Sequence, residues 1–265
     1  MSTQHQFIRN PALPWAELRI SQQSAQCYRL HTHSEYAIGL VDAGESLFHH
    51  DNGPEHISAG HVVFVEAGHW HACNPSLSQP WSYRMLYLDA AWLHAQLGVE
   101  SLHFAQRAMR KTAISAQVRA LCAGFATAHT PKQQAAWQAD LQGLLQCVGS
   151  VPVNASANAP SAVRAVLKRL HQQPEADCSI EAMAEDCGLS ASQLIRQFRA
   201  AVGVTPGAYR LNLRVNGARQ LLAQGWPLAD AALHMGFADQ AHLQRAFKSH
   251  HALTPGRYAH AAPAQ

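Results

Sequence analysis

Gly188-Leu189-Ser190 leads to Leu194, Arg196 and Phe198 and then to Thr205-Pro206-Gly207-Ala208-Tyr209. Gly236-Phe237-Ala238 leads to Leu243, Arg245 and Phe247 and then to Thr254-Pro255-Gly256-Arg257-Tyr258. The glycines stand 48 residues apart, and the Arg, Phe and Thr-Pro-Gly pairs 49 apart. A repeat of that length, with a basic residue kept between apolar anchors, predicts two copies of one small helical unit.

In the first copy Ile180, Met183, Ala184 and Cys187 recur at helical spacing, and Gly188 supplies a tight turn. Ser190 is a suitable N-cap for a second helix reaching about Val202. Leu194, Ile195 and Phe198 turn inward there, leaving Ser192, Gln193, Arg196, Gln197 and Arg199 outward. The second copy repeats the plan with a helix over residues 228–235, Gly236 as the turn, Asp239 as the cap and a helix over 240–249. Ala184 and Ala232 take equivalent places, where a small residue lets two helices cross closely, as in a helix-turn-helix. Residues 207–224 read as one long helix ended by Gly225-Trp226-Pro227.

Two such units on a connecting helix resemble the AraC/XylS family of bacterial transcription regulators. The resemblance covers about 105 residues and rests on Ala184, Gly188, Arg196, Phe198, Thr205-Pro206, Tyr209, Arg214, Ala218, Leu221-Leu222, Gly236-Phe237, Gln240, Leu243, Arg245-Ala246-Phe247-Lys248 and Thr254-Pro255-Gly256. Gly217 inside the connecting helix and His250-His251-Ala252 in place of a turn glycine depart from the pattern. Double-stranded promoter DNA is the implied partner, with RNA polymerase beside it. Carried over position by position, the base readers are Ser192, Gln193 and Arg196 in one copy, and Gln240, Gln244 and Arg245 with His242 close by in the other. Arg199 and Lys248 fall further along each helix, at phosphate positions, and the helix N-termini at Ser190 and Asp239 offer backbone N–H groups to phosphates. The bland alternative is a helical bundle with solvated basic residues.

Bulk properties agree with two domains. The chain has 265 residues and a formal net charge of +3, too small to name a partner. Residues 161–265 hold 11 Lys and Arg against 7 Asp and Glu, whereas residues 1–160 hold 9 against 10, so the positive balance sits with the repeat. Six cysteines without paired spacing and a polar start without a secretory signal predict reduced thiols in a cytoplasmic protein. No apolar run is long enough to span a membrane.

Residues 15–90 alternate short apolar runs with turn signals, which predicts an all-β sandwich or barrel. Residues 91–149 are rich in Ala, Leu and Gln and predict about three helices, one starting at Thr130-Pro131. Their apolar stripes, Val118, Leu121, Phe125, Trp137, Leu141 and Leu145 among them, are expected to pack on the barrel or to form a homodimer surface. Residues 151–160 read as a linker. The expected architecture is therefore a sensor domain over 1–150, an all-β cupin or jelly-roll barrel followed by helices, joined to an all-α double helix-turn-helix domain over 161–265.

Twelve of the eighteen histidines precede residue 160. On a strand, His31, His33 and Glu35 share one face. With the later Gly60…His71 stretch, this pair resembles the two cupin motifs. Glu66 replaces the usual proline, and Ala37 and Ile38 stand where the motif's carboxylate is expected. His31, His33, His71 and Glu35 could hold one divalent transition metal, Zn²⁺, Fe²⁺, Mn²⁺ or Ni²⁺. The alternatives are a metal-free pocket for a small-molecule effector or histidines bonded into a small core. Tyr36, His69, Trp70 and Tyr83 are the further pocket candidates. The leading expectation is a DNA-binding regulator answering to a small molecule. Its rivals are a metal-dependent cupin enzyme fused to a DNA-binding domain and a ligand-independent architectural DNA binder.

Overall fold

The computed structural model describes residues 4–76, 79–150 and 159–260; of the expected linker, residues 151–158 lie outside the described residues. The chain divides into two compact units, residues 1–154 with 260–265, and residues 155–259.

The first unit is built from β1 (Gln4–Arg9), β2 (Ala16–Ser24), β3 (Tyr36–Ala43), β4 (Glu45–His50), β5 (Gly53–Ser58), β6 (Val62–Val65), β7 (Ala72–Pro75) and β8 (Trp81–Leu88). There follow α1 (Ala90–Leu97), the short strands β9 (His103–Phe104) and β10 (Ala108–Met109), α2 (Thr112–Phe125), α3 (Pro131–Val148) and β11 (Gly149–Ser150). The principal sheet runs β1-β2-β8-β3-β6-β10, and β5-β4-β7 form a second sheet. β1 precedes the expected start of the barrel near residue 15. It pairs with β2 in the register Phe7↔Arg19, with an Arg9–Glu17 ion pair of 2.8 Å across it. Its alternation is masked in sequence because Phe7 and Ile8 are adjacent and the rest of the strand is polar.

The central strands are buried on both faces, as a sheet sandwiched between two layers requires. Leu18, Ile38, Leu40, Val62, Phe64, Leu86 and Leu88 form one core with Val118, Leu121, Phe125, Trp137, Leu141, Leu144 and Leu145 of α2 and α3. The apolar stripes of these helices are therefore spent on their own sheet and do not form a dimer surface. Residues of the opposite parity, among them Arg19, Gly39, Val63, Tyr83 and Met85, share the inner face. α3 opens as its Thr130-Pro131 signal predicts, with Thr130 and Gln133 in a reciprocal capping box.

The second unit contains α4 (Ser161–Gln172), α5 (Ile180–Glu185), α6 (Ala191–Val202), α7 (Pro206–Ala223), α8 (Leu228–His234), α9 (Gln240–His251) and α10 (Pro255–Ala259). Helix pairs α5/α6 and α8/α9 are the two repeats, and α7 is the long helix between them. Both departures from the family pattern have local explanations. A Cβ on Gly217 would lie 2.3 Å from Met235 Cε, so the glycine lets the turn after α8 pack on α7. Ala252 ends α9 in the left-handed conformation, φ +59°, where glycine is usual.

An alanine there carries a steric cost that glycine lacks. Ala252→Gly is expected to raise the unfolding free energy of the full chain by about 1 kcal/mol, read as a higher urea midpoint at unchanged slope. An unchanged or lower midpoint would show that the cap is not strained.

Candidate DNA interface and effector site

Each recognition helix is fixed by what it buries. Leu194 and Phe198 of α6 and Leu243 and Phe247 of α9 are buried. The helical repeat then turns Ser192, Arg196 and Arg199 of α6 and Gln240, Gln244, Arg245 and Lys248 of α9 to the exposed side. Four expected contact residues are partly occupied by the helix starts. Ser190 Oγ accepts from Gln193 N at 3.3 Å, and Gln193 Oε1 accepts from Ser190 N at 2.9 Å. A bidentate adenine contact needs both ends of the amide, so Gln193 is a cap here rather than a free reader. Asp239 accepts from His242 N, and the His242 ring packs edge-on against Phe237 at 5.2 Å.

Arg214 of α7 binds the two repeats together. Its Nη1 donates to Gly236 O at 2.7 Å, its Nε to Pro174 O at 2.7 Å, and its Nη2 to Glu175 O at 2.9 Å and Ala176 O at 3.2 Å. The turn of the second repeat and the loop leading into the first are thus held by one guanidinium. Gly236 has φ +71°, and a Cβ there would lie 2.4 Å from Glu175 O and 3.1 Å from Arg214. Only glycine permits this approach.

In the first unit His31, His33 and His71 come together, with ring centroids 4.4 Å (His31–His71) and 4.8 Å (His33–His71) apart. Each Nδ1 lies against a backbone oxygen: Arg29 O at 2.8 Å, Glu35 O at 2.7 Å and His69 O at 3.0 Å respectively. The Glu35 carboxylate approaches His33 on this same Nδ1 edge, at 4.0 Å. Among the described residues, no group of three or more His, Cys, Asp or Glu is arranged to hold a metal ion. The three histidines cluster, and the expected metal is not shown.

The pocket candidates separate. Tyr36 belongs to the outer face, where its hydroxyl meets His94 Nε2 and accepts from Leu102 N, both at 2.9 Å. Trp70 is half-buried on the β6–β7 connection. His69 lies at the rim, 3.4 Å from Glu66. Tyr83 alone of the four faces the barrel interior, stacked on Trp81 at 4.2 Å with its hydroxyl 2.8 Å from that of Tyr28.

Glu66 and Arg19 escape a motif-based reading. Glu66 is 2% exposed and gathers the loop before β10 around itself. It accepts from Phe104 N at 2.9 Å, meets His103 Nδ1 at 2.8 Å and pairs with Arg107. Arg107 also pairs with Asp51 at 2.9 Å. Burial pushes the Asp51 carboxyl upward, but the hydrogen bonds and charge of Arg107 outweigh it and hold the group below the usual range. A polar cleft of about 640 Å³ opens beside this cluster, lined by His50, Asp51, Glu55, His103 and Arg107 among others. Arg19 lies inside the barrel, with Nη2 donating to Tyr28 Oη at 2.7 Å. Its only sequence signal is parity with Ser21, Tyr83 and Tyr87 across β2 and β8, which also suits a solvent-facing strand.

Residues 14–146 match the model of the AraC-like ligand binding domain, and residues 183–261 match that of a helix-turn-helix domain. The chain belongs to the AraC family of transcription regulators. An uncharacterized HTH-type transcriptional regulator, YbfI of Bacillus subtilis, is 24% identical over 80% of both chains. HTH-type transcriptional regulator RipA of Corynebacterium glutamicum is 37% identical over 38% of this chain and 30% of its own. Among solved structures, apo ToxT K231A of Vibrio cholerae is similar with a TM-score of 0.60, at 11% identity, over 96% of this chain and 99% of that one. Unsaturated fatty acid-bound ToxT gives 0.56 at 10% identity, over 98% and 97%.

This AraC-family chain is thus a DNA-binding regulator with an N-terminal ligand-binding domain. It is not an enzyme, so the fused cupin enzyme is set aside. No helix among the described residues is long and apolar enough to cross a membrane.

Buried His71 is pushed down to about 3 from the ordinary histidine value of 6.5, first by burial and then by neighbouring His33. The unfolded chain therefore binds a proton that the folded chain refuses between these values. His71 contributes no acid penalty above about pH 6.5, and stability falls as pH drops from there toward 3, by up to about 1.4 kcal/mol per pH unit. His71→Asn is expected to flatten this part of the stability–pH curve, measured by urea unfolding at a series of pH values. An unaltered slope would assign the acid sensitivity to other groups.

Proposed function

We propose that residues 161–265 bind promoter DNA through α6 and α9, and that a small molecule in the barrel of residues 1–150 alters this binding. The observation that carries the reading is the matched pair Arg196 and Arg245, each exposed opposite a buried phenylalanine on its own helix. Arg can bond guanine bidentately in the major groove, with Ser192, Gln240 and Gln244 beside it. Arg199 and Lys248 are assigned to phosphates. One rigid helix-turn-helix pair spaced by α7 suits two major-groove segments about one helical turn apart, roughly 34 Å.

The effector acts only through its different affinity for the conformations that bind DNA well and poorly. This favours a responsive regulator over a ligand-independent architectural binder. The expected setting is the cytoplasm, at a promoter with RNA polymerase nearby. A homodimer would double the DNA contacts and raise the effective concentration at paired sites, through a surface other than the buried stripes of α2 and α3. ToxT binds a fatty acid, but likeness of fold at 10% identity does not transfer that ligand.

Gel-shift titration on the target site identified by footprinting tests the assignment. Arg196→Ala and Arg245→Ala are each expected to cost about 1–3 kcal/mol on the specific site and far less on random duplex. Equal losses on both would reassign them as phosphate contacts. A footprint without two segments one turn apart would overturn the bipartite geometry.

A further inference from the structure

The inner face of the principal sheet carries a row of side chains that cross it in register, Phe7, Arg19, Met85, Gly39 and Val63. Arg19 stands within this row and is 3% exposed. Its guanidinium lies over the rings of Phe7, Tyr28 and Tyr83 at 5.4, 5.4 and 5.5 Å. Its Nε donates to Ser21 Oγ at 3.1 Å and its Nη2 to Tyr28 Oη at 2.7 Å, with Tyr87 also in hydrogen-bonding reach. Among the described residues no carboxylate pairs with it, and the titratable groups acting on it are the tyrosines Tyr28, Tyr83 and Tyr87. Glu17, two residues along the same face of β2, is taken by Arg9 at 2.8 Å.

A guanidinium keeps its charge under all ordinary conditions. Burying that charge is costly unless an anion accompanies it. Neutral hydroxyls and aromatic faces offset part of the cost, while a carboxylate accepting two parallel N–H bonds offsets much more. A second observation points the same way. Trp81 Nε1, buried on the same face and stacked on Tyr83, is a donor with no hydrogen-bond partner among the described residues. The row also contains an adaptable element. Met85 rests over Gly39, and its Cε would lie only 2.8 Å from a Cβ placed there. An unbranched thioether can swing to make room where a β-branched side chain could not.

We propose that the barrel interior is an anion site in which Arg19 receives the carboxylate of a small organic acid, and that this acid is the effector. Tyr28, Tyr83 and Trp81 Nε1 supply further donors, and Phe7, Met85 and the aromatic rings pack the apolar body of the ligand. One fixed positive charge among aromatic rings and neutral hydroxyls suits a monocarboxylate better than a dianionic phosphate ester. This assignment rests on the effector reading above and gives it a chemical class.

The test uses the full chain in thermal-shift and calorimetric titrations with benzoate, phenylacetate, hexanoate and decanoate, each beside its primary amide. Inorganic phosphate and arabinose serve as anionic and neutral controls. At least one acid is expected to raise Tm saturably, with its amide and phosphate at least tenfold weaker. Arg19→Met is expected to abolish that response and Arg19→Lys to keep a weakened one. An unaltered response of folded Arg19→Met to the acid would overturn the proposal. The acid-against-amide comparison needs no variant, so it decides the matter even if Arg19→Met does not fold. Stabilisation by amides or arabinose, equal in parent and variant, would leave a barrel effector but remove the anionic class. Binding by none of the acids would overturn the anion site, while the ligand-binding domain stands on the family match.

Discussion

A charge taken out of water must be met by polar groups, and in both units this requirement decides where irregular chain can go. Arg214, half-buried on α7, shows a partial case of it. One guanidinium on α7 takes up carbonyls at Pro174, Glu175, Ala176 and Gly236. Those carbonyls belong to the loop before the first repeat and the turn inside the second. Satisfying them fixes both repeats to one helix. The spacing between the two readers is then a property of α7 rather than of flexible connections. The glycine at 236 follows from the same constraint, since a side chain there would occupy the space of the Glu175 carbonyl.

The first unit uses the same physics differently. Glu66 ends a strand that is buried throughout, and its carboxylate draws in Arg107, His103 and the backbone of Phe104. The chain between β9 and β10 therefore folds over the end of β6 instead of looping away. Among the described residues Arg19 is answered only by hydroxyls and ring faces. Full satisfaction in one place builds architecture, and partial satisfaction in the other leaves affinity for a ligand.

Legibility in the sequence followed the range of the interactions concerned. Caps at Ser190, Asp239 and Thr130 depend on residues three positions away, and all three form. The recognition helices were legible because a helix puts Arg196 two places from Phe198, on the exposed side once Phe198 is buried. The occupation of Gln193 in its own capping box was missed because the same amide suits DNA and the cap equally well. Tyr36 was misassigned for a related reason. Alternation says that Tyr36 and Ala37 face opposite ways, not which way is inward, and the helices of residues 112–148 settled it by covering the face of Tyr36.

By itself, the sequence determined the two repeated helical units, the β-rich first domain, the three helices after it and the family to which they belong. The elements follow from local periodicity, capping and spacing, and the family from the resemblance of the repeated motifs. Only the tertiary structure decided which face of the sheet became the interior, that His31, His33 and His71 cluster, and that Arg19 is buried without a carboxylate partner among the described residues. Burial of Arg19 depends on the pairing of β2 with β8, distant in the chain, and no local pattern carries that information.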